Sequence, residues 1–231
     1  MFAPKSATVF PDTVDLRPYD AVPIYDQGWL GSCTANAICA LHSFLQKRVD
    51  GYYFNLSRLF LYWHERNLEG TVDYDAGAYI RDGMKVLQKI GCAGESTFPY
   101  VESTFRNKPS AEAEATAAYH KIAEYRRLNA NNPTQLKESL ASGYPVVLGI
   151  EIYESFESAD VAKTGIVPFP DRSKEQFLGG HAVLAMGYTT FNGIEYIICR
   201  NSWGPDWGDR GYFYLPMQYV GRMISDMWTG R

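Results

Sequence analysis

Gln27-Gly28-Trp29-Leu30-Gly31-Ser32-Cys33 is a glycine-broken loop that runs straight into Thr34-Ala35-Asn36-Ala37-Ile38-Cys39-Ala40-Leu41. From Thr34 to about Val49, Ala37, Ala40, Leu41, Phe44 and Leu45 recur at three- and four-residue spacings, which predicts a helix buried along one face. A cysteine at the start of such a helix lies beside unpaired backbone N–H groups and the positive end of the dipole. Both favour the thiolate, so Cys33 is a candidate nucleophile. The plainer reading is an inert, buried thiol, the usual fate of a free cysteine.

Outward from this loop the helical texture continues to about Ala118. Ser57–Asn67 reads as a helix with Ser57 as its cap, Tyr79–Ile90 as one stopped by Gly91, and Glu112–Tyr119 as a short fourth. After Tyr119 the pattern turns to strands. Asn132-Pro133 leads into one more helix, Thr134–Ala141, ended by Gly143. Val146–Ile150 then reads as a buried strand, and Ala182–Tyr188 and Gly193–Cys199 as two more, joined by the hairpin dipeptide Asn192-Gly193. With no internal repeat and no low-complexity linker, the fold class is α+β, a helical half followed by a strand-rich half.

Four histidines could serve the thiol as a base. His42 lies nine residues along the same helix, half a turn from the face of Cys33. His64 reads as a surface or interdomain residue, and His120 as part of a polar junction beside Lys121. His181, after Gly179-Gly180, stands at the mouth of a strand. A two-residue turn at Asn192-Gly193 sets Asn201 opposite Leu184, at the same open end as His181, and a bulge near Gly187 shifts this by one. An asparagine carbonyl there can accept from the imidazole N–H and orient the ring. Trp203 and Trp207 follow, either as a shield over that bond or as plain core.

Composition narrows the function classes. The 231 residues carry a net charge of −4, with the densest basic clusters no longer than Arg126-Arg127 and Lys47-Arg48, which argues against a nucleic-acid or membrane-surface partner. The apolar run Leu59–Trp63 is far short of the roughly 18 residues a membrane span needs. Met1-Phe2-Ala3-Pro4-Lys5-Ser6 has no apolar signal core, although a trimmed, secreted fragment is compatible with this. Four cysteines are too sparse for a disulfide scaffold, which favours a reducing compartment such as the cytoplasm. Cys33, Cys199 and His181 contain no tight ligand pair for zinc, and no phosphate loop of the Walker type is present, so neither metal nor cofactor is expected.

Several segments taken together resemble the papain-type cysteine peptidases. They are Asp15-Leu16-Arg17, Gln27-Gly28 to Cys33, Gly77-Ala78-Tyr79, Phe98-Pro99-Tyr100, Gly180-His181-Ala182-Val183 and Asn201-Ser202-Trp203-Gly204-Pro205-Asp206-Trp207-Gly208. The likeness runs in order from about residue 13 to 215. Gly31-Ser32-Cys33-Thr34-Ala35-Asn36-Ala37 and Leu56-Ser57-Arg58-Leu59-Phe60 are more similar to the bacterial and viral branches. The resemblance implies a papain-like two-domain fold with the active-site cleft between its halves. A mainly helical domain, residues 18–118, carries the nucleophile. A strand-rich, β-barrel-like domain, residues 1–17 and 119–231, carries the His/Asn pair.

The implied activity is that of a cysteine endopeptidase acting without a cofactor. Cys33 is the nucleophile, His181 the acid/base, Asn201 its orienter and Gln27 an oxyanion donor. Gly77, Ala78, Tyr79 and Gly180 meet the substrate. The implied partners are a peptide or protein substrate and an inhibitor or separate pro-segment, since 32 residues before Cys33 are too few for the family's usual inhibitory segment. A thiol acyltransferase, a deamidase or an inactive binding module could use the same scaffold. The chain departs from the family signature at Leu30, in place of a cysteine, and at Thr34, in place of an aromatic. His181 lies 148 residues after Cys33 and Asn201 168 after it, which suggests longer loops around Glu151–Leu178 bordering the cleft. The family's bridge would join the positions of Leu30 and Asp75, so no disulfide and four free thiols are expected.

Overall fold

A computed structural model describes residues 10–231. The expectation concerning Met1–Ser6 lies outside the described residues. Helix α1 spans Cys33–Asp50 and closes on Gly51 in the left-handed region. The spacing predicted one buried face, but every residue from Thr34 to Leu45 is buried. The reason is tertiary: α1 is packed between the sheet on one side and α2 (Arg58–Glu69) and α3 (Ile80–Lys89) on the other. Ser57 caps α2 as expected, its hydroxyl accepting from Phe60 N–H at 3.0 Å. Ser110 does the same for the short α4, Ala111–Ala117. At α5, Pro133–Ala141, Asn132 accepts from the N–H groups of Thr134 and Gln135, and Pro133 occupies a position that needs no donor.

Seven strands form one antiparallel sheet in the order β2-β7-β3-β4-β5-β6. They are β2 (Tyr125–Arg127), β3 (Val146–Tyr153), β4 (Phe177–Phe191), β5 (Ile194–Arg200), β6 (Tyr212–Pro216) and β7 (Ile224–Gly230), and β1 (Val14–Asp15) pairs with β4. The sheet stays open, with β2 and β6 as its edges, so the barrel-like half is an unclosed sheet. Periodicity disclosed β3, β4 and β5. It missed β1, β2, β6 and β7, which are short or lie among turn residues.

The hairpin forms as the dipeptide predicts. Asn192 and Gly193 both take positive φ, and Phe191 pairs with Ile194. Between Ala185 and Gly187 the register slips, so Leu184 faces Arg200 and Asn201 follows one position beyond. Gly187 is needed at this bulge because a Cβ there would lie 2.1 Å from the carbonyl oxygen of Val14. The bulge and the docking of β1 therefore depend on the same missing side chain.

One apolar core runs from Leu41, Phe44 and Phe60 through Leu148, Leu184 and Phe213. Each such side chain, fully buried, is worth roughly 1.5–3 kcal/mol before entropy is counted. Among the described residues no helix is long and apolar enough to cross a membrane. The four cysteines are free. Sequence spacing offered no partner for Cys39 or Cys92, yet the fold brings their buried sulfurs to 3.9 Å, a thiol–thiol contact well beyond an S–S bond.

Candidate active site

The loop before α1 is pinned at several points. Arg200, at the end of β5, forms a buried ion pair with Asp20 at 2.7 Å and also donates to the carbonyls of Val22 and Pro23. Three residues on, Asp26 and Trp203 form a β-bridge, and Gln27 N–H donates to the Ser202 carbonyl at 2.9 Å. This bridge lays the loop against the segment that carries Asn201. Gly28 then turns with φ near +58°, where a Cβ would collide with the Glu102 carboxylate. That carboxylate accepts from Trp29 N–H at 3.0 Å. Tyr100 donates to the Gln27 carbonyl at 2.8 Å and takes the hydroxyl of buried Ser32 at 2.6 Å. Cys33 follows as the first residue of α1, partly exposed.

On the sheet side, His181 is buried in β4 and its Nε2 lies 2.8 Å from Asn201 Oδ1. The same oxygen accepts from Ser202 N–H at 2.9 Å. A backbone N–H can only donate, so the asparagine must present its oxygen to this point. The imidazole therefore carries its hydrogen on Nε2 and leaves Nδ1 as its basic nitrogen. Trp203 stacks over the His181 ring at 5.0 Å, and Trp207 meets Trp203 edge-on at 5.1 Å. Trp203 thus takes the covering place over the ring, whereas Trp207 packs behind it against Phe156 and Phe213.

The two sides meet through hydrogen bonds. Ser202 Oγ donates to Gln27 Oε1 at 2.7 Å, which turns the Gln27 amide N–H the other way, onto the Leu30 carbonyl at 2.9 Å. The two sides also meet where α1 packs against β4, the strand that carries His181. Gly77 lies beside Gly31, with its nitrogen 3.5 Å from where a Gly31 Cβ would be. Ala78 makes no backbone hydrogen bond among the described residues, while exposed Tyr79 donates its N–H to Glu69 at 2.9 Å. Gly180 borders open space.

The electrostatics differ from the expectation for a helix N-terminus. Burial pushes the Cys33 thiol up to about 11, outweighing the N–H groups of Ala182, Thr34 and Cys33 itself, which pull it down. Burial also drives His181 down to about 4, against the bond to Asn201. Taken singly, both groups are held neutral, so charge on either depends on charge on the other.

The remaining histidines stand apart. His42 is buried with neither ring nitrogen bonded, and burial lowers it to about 4. His64, read as a surface or interdomain residue, is buried between Phe60 and Trp63 with Nε2 3.0 Å from Glu114. His120 stacks on Phe54 and bonds Gln46. Among the described residues, no three His, Cys, Asp or Glu side chains gather as a metal site requires. A concavity of about 1270 Å³ between β2, β7 and α5 contains none of the predicted site residues.

Sequence reasoning missed Ser202 as the link between Asn201 and Gln27, although it was quoted within their motif. It also missed Phe156. This side chain lies in the segment read as a long loop, where a turn at Glu154–Glu157 and helix α6, Ala159–Thr164, are folded instead. Its ring packs against Trp203, Trp207, His181 and Phe213 at 5.3–6.3 Å. No local signal marks it, because all four contacts are distant in sequence.

Comparison with known proteins agrees with this geometry. The chain is 44% identical over 213 residues to an uncharacterized peptidase C1-like protein of Acanthamoeba polyphaga mimivirus, covering 88% of this chain and 68% of the relative. It is 30% identical to cathepsin K of Gallus gallus, covering 93% of this chain and 61% of that protein. The chain thus spans about two thirds of the length of these relatives. The crystal structure of xylellain, a cysteine protease from Xylella fastidiosa, superposes with a TM-score of 0.90 at 36% identity, covering all of this chain and 90% of that one. With the papain family cysteine protease pattern matched over residues 10–225, the chain belongs to the papain family of cysteine proteases.

Proposed function

We propose that the protein is a cysteine endopeptidase in which Cys33 attacks the scissile carbonyl and His181 moves the proton. The observation that carries this reading is the His181–Asn201 bond of 2.8 Å, joined through Ser202 to Gln27 and set against the start of α1. The thiol proton passes to Nδ1 of His181 as the sulfur bonds the carbonyl carbon. The imidazolium then protonates the leaving amine, and a thioester remains on Cys33. Water, deprotonated by His181, hydrolyses the thioester and restores the thiol.

Gln27 and the Cys33 backbone N–H stabilise the developing oxyanion. The Gln27 amide nitrogen carries two hydrogens, so one can stay on the Leu30 carbonyl while the other faces the substrate and Ser202 holds the oxygen. Ala78 offers an unpaired N–H and C=O to an extended peptide, and Gly180 leaves room for it beside His181. A peptide or protein is the substrate class, and an inhibitor or separate pro-segment would occupy the same strand. Hydrolysis of a fluorogenic dipeptide amide tests the proposal. Wild type should release the fluorophore and Cys33→Ala should not; equal release by both would refute it.

A further inference from the structure

One stripe of α2 supports the whole segment that leads to Ala78. Tyr62, Arg66 and Glu69 lie on one face of the helix, at spacings of four and three. Arg66 is fully buried and has no carboxylate directly bonded to it. Its guanidinium donates instead to the carbonyls of Val72 at 2.9 Å, Tyr74 at 3.4 Å and Phe105. Glu69 accepts from Tyr79 N–H at 2.9 Å. Between these anchors the buried Tyr62 hydroxyl donates to the Asp75 carboxylate and accepts from Gly77 N–H at 3.2 Å.

Asp75 faces two ways. Besides the Tyr62 hydroxyl, its two oxygens receive the N–H of Gly31 at 3.0 and 2.9 Å. Gly31 stands two residues before Cys33, in the loop that carries Gln27. Its neighbours in that loop are held by other carboxylates, Gly28 N–H by Asp26 at 2.9 Å and Trp29 N–H by Glu102 at 3.0 Å. Among the described residues, neither of those acids hydrogen-bonds the segment from Val72 to Tyr79. Among the described residues, Asp75 is the one carboxylate that bonds the nucleophile loop and also belongs to the substrate segment.

We infer that Asp75, braced by Tyr62, is a positioning residue that fixes the spacing between the substrate strand at Gly77–Tyr79 and the loop carrying Gln27 and Cys33. This rests on the peptidase reading for what the two segments do, but the clasp itself is a matter of structure. Removing it lets the strand and the loop drift apart, so peptide binding and oxyanion stabilisation are lost together. Removing the Glu102 carboxylate loosens the loop alone, and kcat falls with little change in KM.

The experiment combines kinetics with hydrogen exchange on Asp75→Ala, Asp75→Asn, Tyr62→Phe and Glu102→Gln, with the exposed neighbour variant Asp73→Asn as control. A misplacement of this kind is expected to lower kcat/KM by about 10- to 100-fold in Asp75→Ala. The loss should divide between a raised KM and a lowered kcat, and Asp75→Asn, which keeps one acceptor oxygen, should recover part of it. Exchange should quicken in both peptides covering 27–33 and 75–80 for Asp75→Ala, and chiefly in the first for Glu102→Gln. Alkylation of Cys33 by iodoacetamide, which needs neither a bound peptide nor an oxyanion donor, should stay within about twofold of wild type if the start of α1 is intact. Unchanged exchange in both peptides overturns the clasp whatever the activity. Quickened exchange with wild-type kcat and KM overturns its role in positioning. The expected exchange pattern in the variants, together with a wild type that hydrolyses no peptide, would count against the peptidase reading and leave the clasp standing.

Discussion

The two sides of the site are held by different kinds of bond. His181 and Asn201 sit at or next to paired strands, so the ladder of β3, β4 and β5 sets their positions, and aromatic rings from Trp203, Trp207 and Phe156 cover them. Gln27 and Cys33 hang on a loop whose backbone is tied by side chains, namely Asp26, Asp75, Glu102 and Tyr100. His181 is thus fixed by strand register, whereas Gln27 is fixed by polar contacts. The Gln27 amide is held at both ends, its oxygen by Ser202 from the sheet side and its nitrogen by the Leu30 carbonyl of its own loop.

The largest expected effect falls on the sheet side. His181→Ala should lower kcat by about 10²- to 10⁴-fold, the range for loss of a general acid–base. Asn201→Ala should lose less, because it orients that base; equal loss in a folded variant would show that Asn201 does more than orient. On the loop side, Gln27→Ala should cost about 10²- to 10³-fold in kcat, as for one oxyanion donor. Ser202→Ala should fall below both, and a Ser202 variant as impaired as Gln27→Ala would mean that the amide cannot be placed without it.

Phe156 tests whether the aromatic cover is structural. It is 1% exposed, and truncation to alanine should cost about 3–5 kcal/mol in urea unfolding, more than any single loop carboxylate. A loss below about 1 kcal/mol would place it outside the rigid side.

A smaller effect concerns acid. His42 and His181 are held neutral down to about 4, against an ordinary 6.5, so the unfolded chain takes up their protons first as pH falls. Stability should therefore decline from pH 6.5 towards 4, by up to about 1.4 kcal/mol per pH unit for each histidine. Buried Glu65 acts in the opposite sense, since burial raises its carboxyl and its contribution is lost as pH rises past 4.5. Unfolding of His42→Leu at pH 7 and pH 5 should show a shallower decline than wild type, and an equal decline would contradict the assignment. The smallest effect is on mass alone. Alkylation of unfolded protein without reductant should add four adducts, and two would mean that Cys39 and Cys92 are bridged.

Local chemistry made part of this legible. The Asn192-Gly193 turn, the Ser57 cap, the bulge near Gly187 and the Asn201–His181 pairing all depend on residues close in sequence or on strand register. The loop clamps do not, because Asp75 and Glu102 lie 44 and 73 residues from the N–H groups they hold. Phe156 and the Cys39–Cys92 contact were hidden for the same reason. The Cys33 thiol departed from expectation because the dipole argument is local, whereas the burial that overcomes it comes from the sheet packed over the helix start.

The central claim is a thioester on Cys33. Acid-quenched intact mass during turnover of an activated acyl ester should show one acyl group, mapped to the peptide containing Cys33 and absent in Cys33→Ala. Turnover with no acyl mass, or the same acyl mass in Cys33→Ala, would contradict the account.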